Sequence, residues 1–157
     1  MKNTTLCYLE RDGKYLMLHR IKKENDANRD KWIGVGGHFE EGESPEDCVC
    51  REVFEETGLT LTRFSYRSIV TFASDQWETE YMHLFTASGF SGTLRECDEG
   101  ALEWIDQNEL MRLPMWAGDR IFLRLIAQPR PFFSLKLKYK GEMLVGAWLD
   151  GEMMKDR

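Results

Sequence analysis

The chain has 157 residues, of which 42% are hydrophobic, 12% aromatic and 31% charged. That is the length of one domain, residues 1–157, with enough apolar surface for a full core, which excludes wholesale disorder and fibrous structure. Its formal net charge is −6, from 27 acidic and 21 basic side chains, so general electrostatics draws neither long nucleic acid nor an anionic membrane to it.

The first residues, Met1 to Thr5, are polar and lack the apolar core and cleavage site of a signal peptide. No apolar run approaches the ~18–20 residues of a membrane span. Cys7, Cys48, Cys50 and Cys97 contain no C-x-x-C pair, so neither a disulfide framework nor a zinc site is expected; they read as reduced thiols of a cytoplasmic protein.

Residues 4–9 and 14–19 favour β-structure, and Asp12-Gly13 between them is a hairpin signal. Residues 21–31 are polar without periodicity, which predicts an exposed loop. Residues 32–39 hold Gly34, Gly36 and Gly37 between apolar residues, which predicts a strand end or tight loop whose backbone approaches another group. The clearest helix spans 45–57. Ser44 caps it, Pro45 suits its first turn, Asp47 completes a capping-box-like pair and Gly58 stops it.

Further along, 67–74, 81–88 and 101–105 predict strands, and 107–113 a short helix. A second helix is predicted over 119–128, with Asp119 as its N-cap. Residues 132–139 and 143–149 alternate around Gly141 and predict a closing hairpin. Strands in both halves with helices between them give an α/β (α+β) fold, a mixed sheet with helices packed on it.

On the 45–57 helix, Glu52, Glu55 and Glu56 share an arc of roughly 100°. Beside it lies an apolar arc of Val49, Cys50, Val53 and Phe54, expected to pack on the sheet. Like charges at these spacings cost roughly 0.2–0.5 kcal/mol per pair, and the macrodipole disfavours negative charge near a helix C-terminus. Helix stability therefore does not ask for this arrangement. One reading is a solvated acidic face; the other is a site for a hard divalent cation, Mg2+ or Mn2+, which takes carboxylate oxygens. Gly36 and Gly37 favour the second, because loop backbone just before the helix can bring a carbonyl to the same ion.

The segment Gly37-His38-Phe39-Glu40-Glu41-Gly42-Glu43 is followed, after seven residues, by Arg51-Glu52-Val53-Phe54-Glu55-Glu56-Thr57-Gly58-Leu59. At every fixed position this resembles the Nudix box, G-x5-E-x7-R-E-U-x-E-E-x-G-U, where U is aliphatic. The strand order is also similar to a Nudix domain over nearly the whole chain, which implies the Nudix fold, a mixed β-sheet sandwiched between α-helices.

The resemblance implies an enzyme that cleaves a nucleoside diphosphate linked to another group, by attack of water on phosphorus with Mg2+ or Mn2+. Glu52, Glu55 and Glu56 are then the metal-binding and catalytic carboxylates. Arg51 forms an ion pair with Glu43 that fixes the loop against the helix. Gly37 is the position whose backbone approaches the metal, and Gly42 and Gly58 are structural. A further glutamate outside the box is implied, with Glu96 favoured for it as a metal ligand and Glu99 second. The chemistry agrees: a pyrophosphate repels an anionic nucleophile, divalent ions neutralise its oxygens, and phosphoryl transfer needs mainly positioning and electrostatics.

Within the family the chain resembles the MutT-like branch, which includes 8-oxo-dGTP diphosphatases, through Trp32-Ile33-Gly34-Val35-Gly36-Gly37 and Met115-Trp116-Ala117-Gly118-Asp119. This implies a Mg-dependent nucleoside triphosphate pyrophosphohydrolase in which Trp116 stacks on the base, Asp119 reads its edge and Phe72 lines the pocket. The alternatives are a Nudix hydrolase of dinucleoside polyphosphates or nucleotide sugars, and a non-catalytic nucleotide-binding module. Retention of every box carboxylate favours an enzyme. Ile33 stands where a base-reading branch often has a polar residue, and an apolar wall discriminates weakly. His19, Arg20, Lys22, Lys23, Arg29 and Lys31 form a basic cluster before the box, with Arg20 and Lys22 as candidate substrate contacts. The implied partner is a small nucleotide, and the family commonly forms homodimers.

Overall fold

The computed structural model describes residues 1–21 and 28–155. Strand β1 (Lys2–Arg11) turns back into β2 (Lys14–His19) through Asp12 and Gly13. Their φ values of 52° and 75° are the left-handed pair that a two-residue type I′ hairpin requires. After β3 (Trp32–Ile33) and the glycine loop come α1 (Pro45–Thr57), β4 (Leu59–Ser74), β5 (Glu80–Gly92) and β6 (Ala101–Asp106). A 3-10 turn at Leu110–Arg112, α2 (Ala117–Ile126), β7 (Phe133–Lys140), β8 (Met143–Leu149) and β9 (Glu152–Met153) follow.

Hydrogen bonding orders the strands β3-β2-β1-β5-β4-β7-β8-β9, with β6 also paired to β2. The β1–β5 and β4–β7 pairs are parallel and the others antiparallel. β1 is covered on both faces, which explains its unbroken run of buried residues. Leu6 and Tyr8 pack towards α2, with Ile121, Phe122 and Leu135 in the same cluster. Cys7 and Leu9 pack towards α1, with Val49, Val53 and Phe85. The result is a mixed sheet between two helices.

α1 begins and ends as its sequence dictates. The Asp47 N–H donates to Ser44 Oγ at 3.0 Å and the Ser44 N–H to Asp47 Oδ2 at 3.1 Å. Gly58, at φ 81°, closes the helix with its N–H on Phe54 O at 2.8 Å. Val49 and Val53 reach the core, but Phe54 does not. It is 48% exposed, with the Arg95 guanidinium 5.1 Å from its ring centroid. Arg95 Nη2 also donates to Phe54 O and Glu55 O at 2.7 and 2.9 Å. It thus satisfies helix-end carbonyls from a distant loop, since the last turn of α1 carries no basic residue.

Four elements differ from expectation. β4 and β5 are longer than 67–74 and 81–88: Leu59 and Leu61 are buried between exposed Thr60 and Thr62, so the strand starts directly after the helix stop. The 107–113 helix shrinks to one 3-10 turn. α2 starts two residues before Asp119, with Trp116 at its N-cap and no side-chain cap bond. Asp119 therefore sits inside the first turn, buried, and is not the cap.

Candidate active site

A cavity of about 570 Å³ runs along β1 between the glycine loop, α1 and the start of α2. Its lining falls into two chemically distinct parts.

The first part is acidic. Gly36 donates its N–H to Glu56 Oε2 at 2.9 Å. Gly37 passes so close to Glu52 that a Cβ there would lie 2.5 Å from the Glu52 carboxyl carbon, so the loop needs glycine at this point. The Gly37 carbonyl accepts the Thr5 N–H at 2.9 Å, turned towards β1.

Arg51 braces the assembly. Its Nε and Nη2 hold the two oxygens of Glu43 at 2.7 and 2.9 Å, its Nη1 bonds Glu52 at 2.8 Å and Glu55 at 3.2 Å, and its Nη2 reaches His38 O at 2.9 Å. This bonding holds the Glu43 carboxyl down at about 2. Glu55 is exposed, tied to Arg51, and outside the cavity lining.

Glu52 and Glu56 carry the opposite shift. Burial raises both, and Glu56 is raised further by a carboxyl contact with Glu99 and by the charge of Glu52. Half-buried carboxylates that repel one another are relieved by a cation, and their hard oxygens match Mg2+ or Mn2+. The residues present therefore fit the divalent ion that the box implies.

Of the two candidate carboxylates beyond the box, Glu99 lines the cavity and Glu96 does not. Glu96 is exposed and outside the cavity lining, whereas the ligating atoms of Glu56, Cys97 and Glu99 lie within 4.8 Å of one another. The reason is a segment pinned at both ends. Arg95 grips the last carbonyls of α1, and Gly100 packs so closely that a Cβ would lie 1.9 Å from His19 O. The turn between them presents positions 97 and 99 inward.

The second part is aromatic. Trp116 donates Nε1–H to Asn28 Oδ1 at 2.7 Å. It meets Trp77 and Tyr139 edge-on, and the Lys31 ammonium lies 4.5 Å from its ring centroid. Phe72 stacks near Tyr139, whose hydroxyl accepts the Gly118 N–H at 2.7 Å. Asp119, 5% exposed, is pushed up to about 8 by burial, which favours its protonated form. Ile33 and Met82 complete an apolar wall.

Of the basic cluster, Arg20 lines the cavity, with Nη1 on Glu99 Oε2 at 3.3 Å. His19 stacks on Trp32 and pairs with Asp30, Lys31 pairs with Glu142, and Arg29 is exposed. Lys22 and Lys23 lie outside the described residues. Sequence reasoning missed Arg95 and Tyr139. An arginine two residues before a Cys-x-Glu segment, and an inward position on an alternating strand, were the signals available.

The NUDIX domain model matches residues 2–126. An uncharacterized Nudix hydrolase of Bacillus subtilis, YvcI, is 35% identical over 124 residues, covering 76% of this chain and 75% of its own. The oxidized purine nucleoside triphosphate hydrolase of Danio rerio is 30% identical over 146 residues, covering 92% and 90%. The crystal structure of the mMutator MutT protein from Bacillus halodurans aligns with a TM-score of 0.87 at 26% identity, covering 97% of this chain and 99% of that one.

Proposed function

We propose a substrate and a reaction for this chain from one premise: it belongs to the Nudix family of hydrolases. The reaction is hydrolysis of a nucleoside triphosphate to a monophosphate and pyrophosphate. The substrates are purine nucleoside triphosphates, oxidised forms such as 8-oxo-dGTP included. One observation carries this reading: a single cavity joins Glu52, Glu56 and Glu99 to Trp116, Asp119 and Phe72. A triphosphate needs the first set and a base needs the second. The name of the Danio rerio relative supports the choice of substrate.

Glu52, Glu56 and Glu99 are the residues that would hold Mg2+ or Mn2+. Bound there, the cation supplies neutralisation of phosphate charge and a water of lowered pKa. Arg51 fixes Glu52 through a 2.8 Å bond and ties the loop to α1 through Glu43. The proton of the attacking water would pass to a carboxylate of this cluster that is left free by the cation. Trp116 stacks on the base. In the protonated form that burial favours, Asp119 would offer the base edge both a donor and an acceptor. Ile33 adds no hydrogen bond, so discrimination among purines rests on Asp119.

Cys7, Cys48, Cys50 and Cys97 form no disulfide with one another, in keeping with a reducing cytoplasm. No helix among the described residues is long and apolar enough to cross a membrane.

The test is kcat/KM with Mg2+ across unmodified and oxidised purine triphosphates, pyrimidine triphosphates, dinucleoside polyphosphates and nucleotide sugars. A purine triphosphate is expected to rank first, with pyrophosphate as co-product. A dinucleoside polyphosphate or nucleotide sugar in first place overturns the reading.

A further inference from the structure

Next to Glu56 and Glu99 lies a donor that hard cations do not need. Cys97 is 4% exposed, and its sulfur stands within 4.8 Å of the ligating oxygens of both glutamates. It is held there by the clamped segment described above. Arg95 N–H also bonds Thr57 O at 2.9 Å, and Cys97 forms a bridge with Gly100 across the turn. Arg20 bonds Glu99 Oε2, which fixes the third donor.

We propose that Glu56, Cys97 and Glu99 form a mixed oxygen and sulfur site for a thiophilic divalent cation of the zinc and cobalt class. The proposal rests on the reading of Glu56 and Glu99 as cation ligands. Carboxylates alone suit Mg2+ and Mn2+, whereas a thiolate shifts preference towards Zn2+ and its neighbours. In a tetrahedral site with bonds of about 2.1 Å to oxygen and about 2.3 Å to sulfur, ligand atoms stand roughly 3.5 Å apart, so small side-chain rotations close the observed group. Binding releases the thiol proton to solvent. Zinc-class ions therefore compete with Mg2+ for Glu56 and Glu99.

The experiment is a Co2+ titration of the full chain, without nucleotide, followed by absorption. Visible d–d bands shifted and intensified relative to aqueous Co2+ report that cobalt binds, and an intense near-ultraviolet band reports sulfur-to-cobalt charge transfer. Both are expected in the wild type. Cys97→Ser, or Cys97→Ala if the serine variant does not fold, is expected to lose the charge-transfer band and keep the visible bands. Cys48→Ser is expected to keep both. The affinity for Zn2+, measured by displacement of cobalt, is expected to fall at least tenfold in Cys97→Ser. Visible bands without charge transfer in the wild type overturn the role of Cys97 while leaving the carboxylate reading in place. A spectrum no different from that of aqueous Co2+ overturns both. A charge-transfer band that survives in Cys97→Ser assigns the sulfur to another cysteine and overturns the proposal.

Discussion

The acidic and aromatic parts of the cavity are built in opposite ways. Apart from Glu99 and Arg20, the acidic part comes from one stretch, Gly36 to Glu56, and short polar contacts fix its side chains. Arg51 alone reaches Glu43, Glu52, Glu55 and His38. The aromatic part draws Ile33, Phe72, Trp116, Asp119 and Tyr139 from β3, β4, β7 and the start of α2; Phe72, Trp116 and Tyr139 pack against the core, with one hydrogen bond each holding Trp116 and Tyr139. Polar bonds hold reacting groups to fractions of an ångström, whereas apolar packing shapes a wall for a base. The difference suggests that the acidic part carries turnover and the aromatic part carries recognition.

The sharpest way to break that division is Glu56→Gln. On the proposed role of Glu56 as a cation ligand, its loss removes several kcal/mol of charge stabilisation, so kcat is expected to fall about 10³-fold or more, with KM within a few fold and an unchanged circular dichroism spectrum. Wild-type turnover in this variant would place the chemistry elsewhere. Gly37→Ala is the next largest. Its methyl would meet the Glu52 carboxyl carbon at 2.5 Å, and a displacement of that order costs about 10²-fold in kcat. Trp116→Ala sharpens the other half. Loss of one stacking platform, worth about 1–3 kcal/mol, is expected to raise KM about tenfold while kcat changes little. A fall in kcat to match the Glu56 variant would dissolve the distinction.

Two smaller effects concern stability. At ten times its Kd, Mg2+ is expected to stabilise the fold by about 1.4 kcal/mol, a rise of roughly 3–5 °C in Tm. The rise should vanish in Glu56→Gln and persist in Trp116→Ala. Asp119, raised from 3.8 to about 8, keeps in the folded state a proton that the unfolded chain has released. Its contribution to stability therefore declines as pH rises between those values. Asp119→Asn removes that decline, so its Tm relative to wild type is expected to climb as pH goes from about 5 to about 8. A constant difference across that range would show that Asp119 is ionised throughout.

The same division explains what could be read from the sequence. Ser44, Pro45, Asp47 and Gly58 define α1 by local rules, and the spacing of Glu52 and Glu56 puts them on one face without reference to the rest of the molecule. Phe54 shares their legible spacing but not the expected burial, because Arg95 from a remote loop covers it instead of the sheet. Asp119 looked like a cap because Asp before an apolar run is a cap signature. Only the packing of α2 on the sheet decides that the helix starts at Ala117. That Glu99 rather than Glu96 faces the cavity depends on anchors at Arg95 and Gly100 that local pattern does not report. Leu59 and Leu61 did carry a strand period, but the helix stop at Gly58 concealed how soon the strand begins.

The most direct measurement compares a purine nucleoside triphosphate with ribose 5-triphosphate, which has the phosphates but no base, as Mg2+-dependent substrates of the wild-type enzyme. The expected result is pyrophosphate release from both with similar kcat, and a KM about tenfold or more higher for the base-free compound. Equal KM values, or a base-free compound that is bound but not cleaved, would contradict the assignment of chemistry to the acidic part and recognition to the aromatic part.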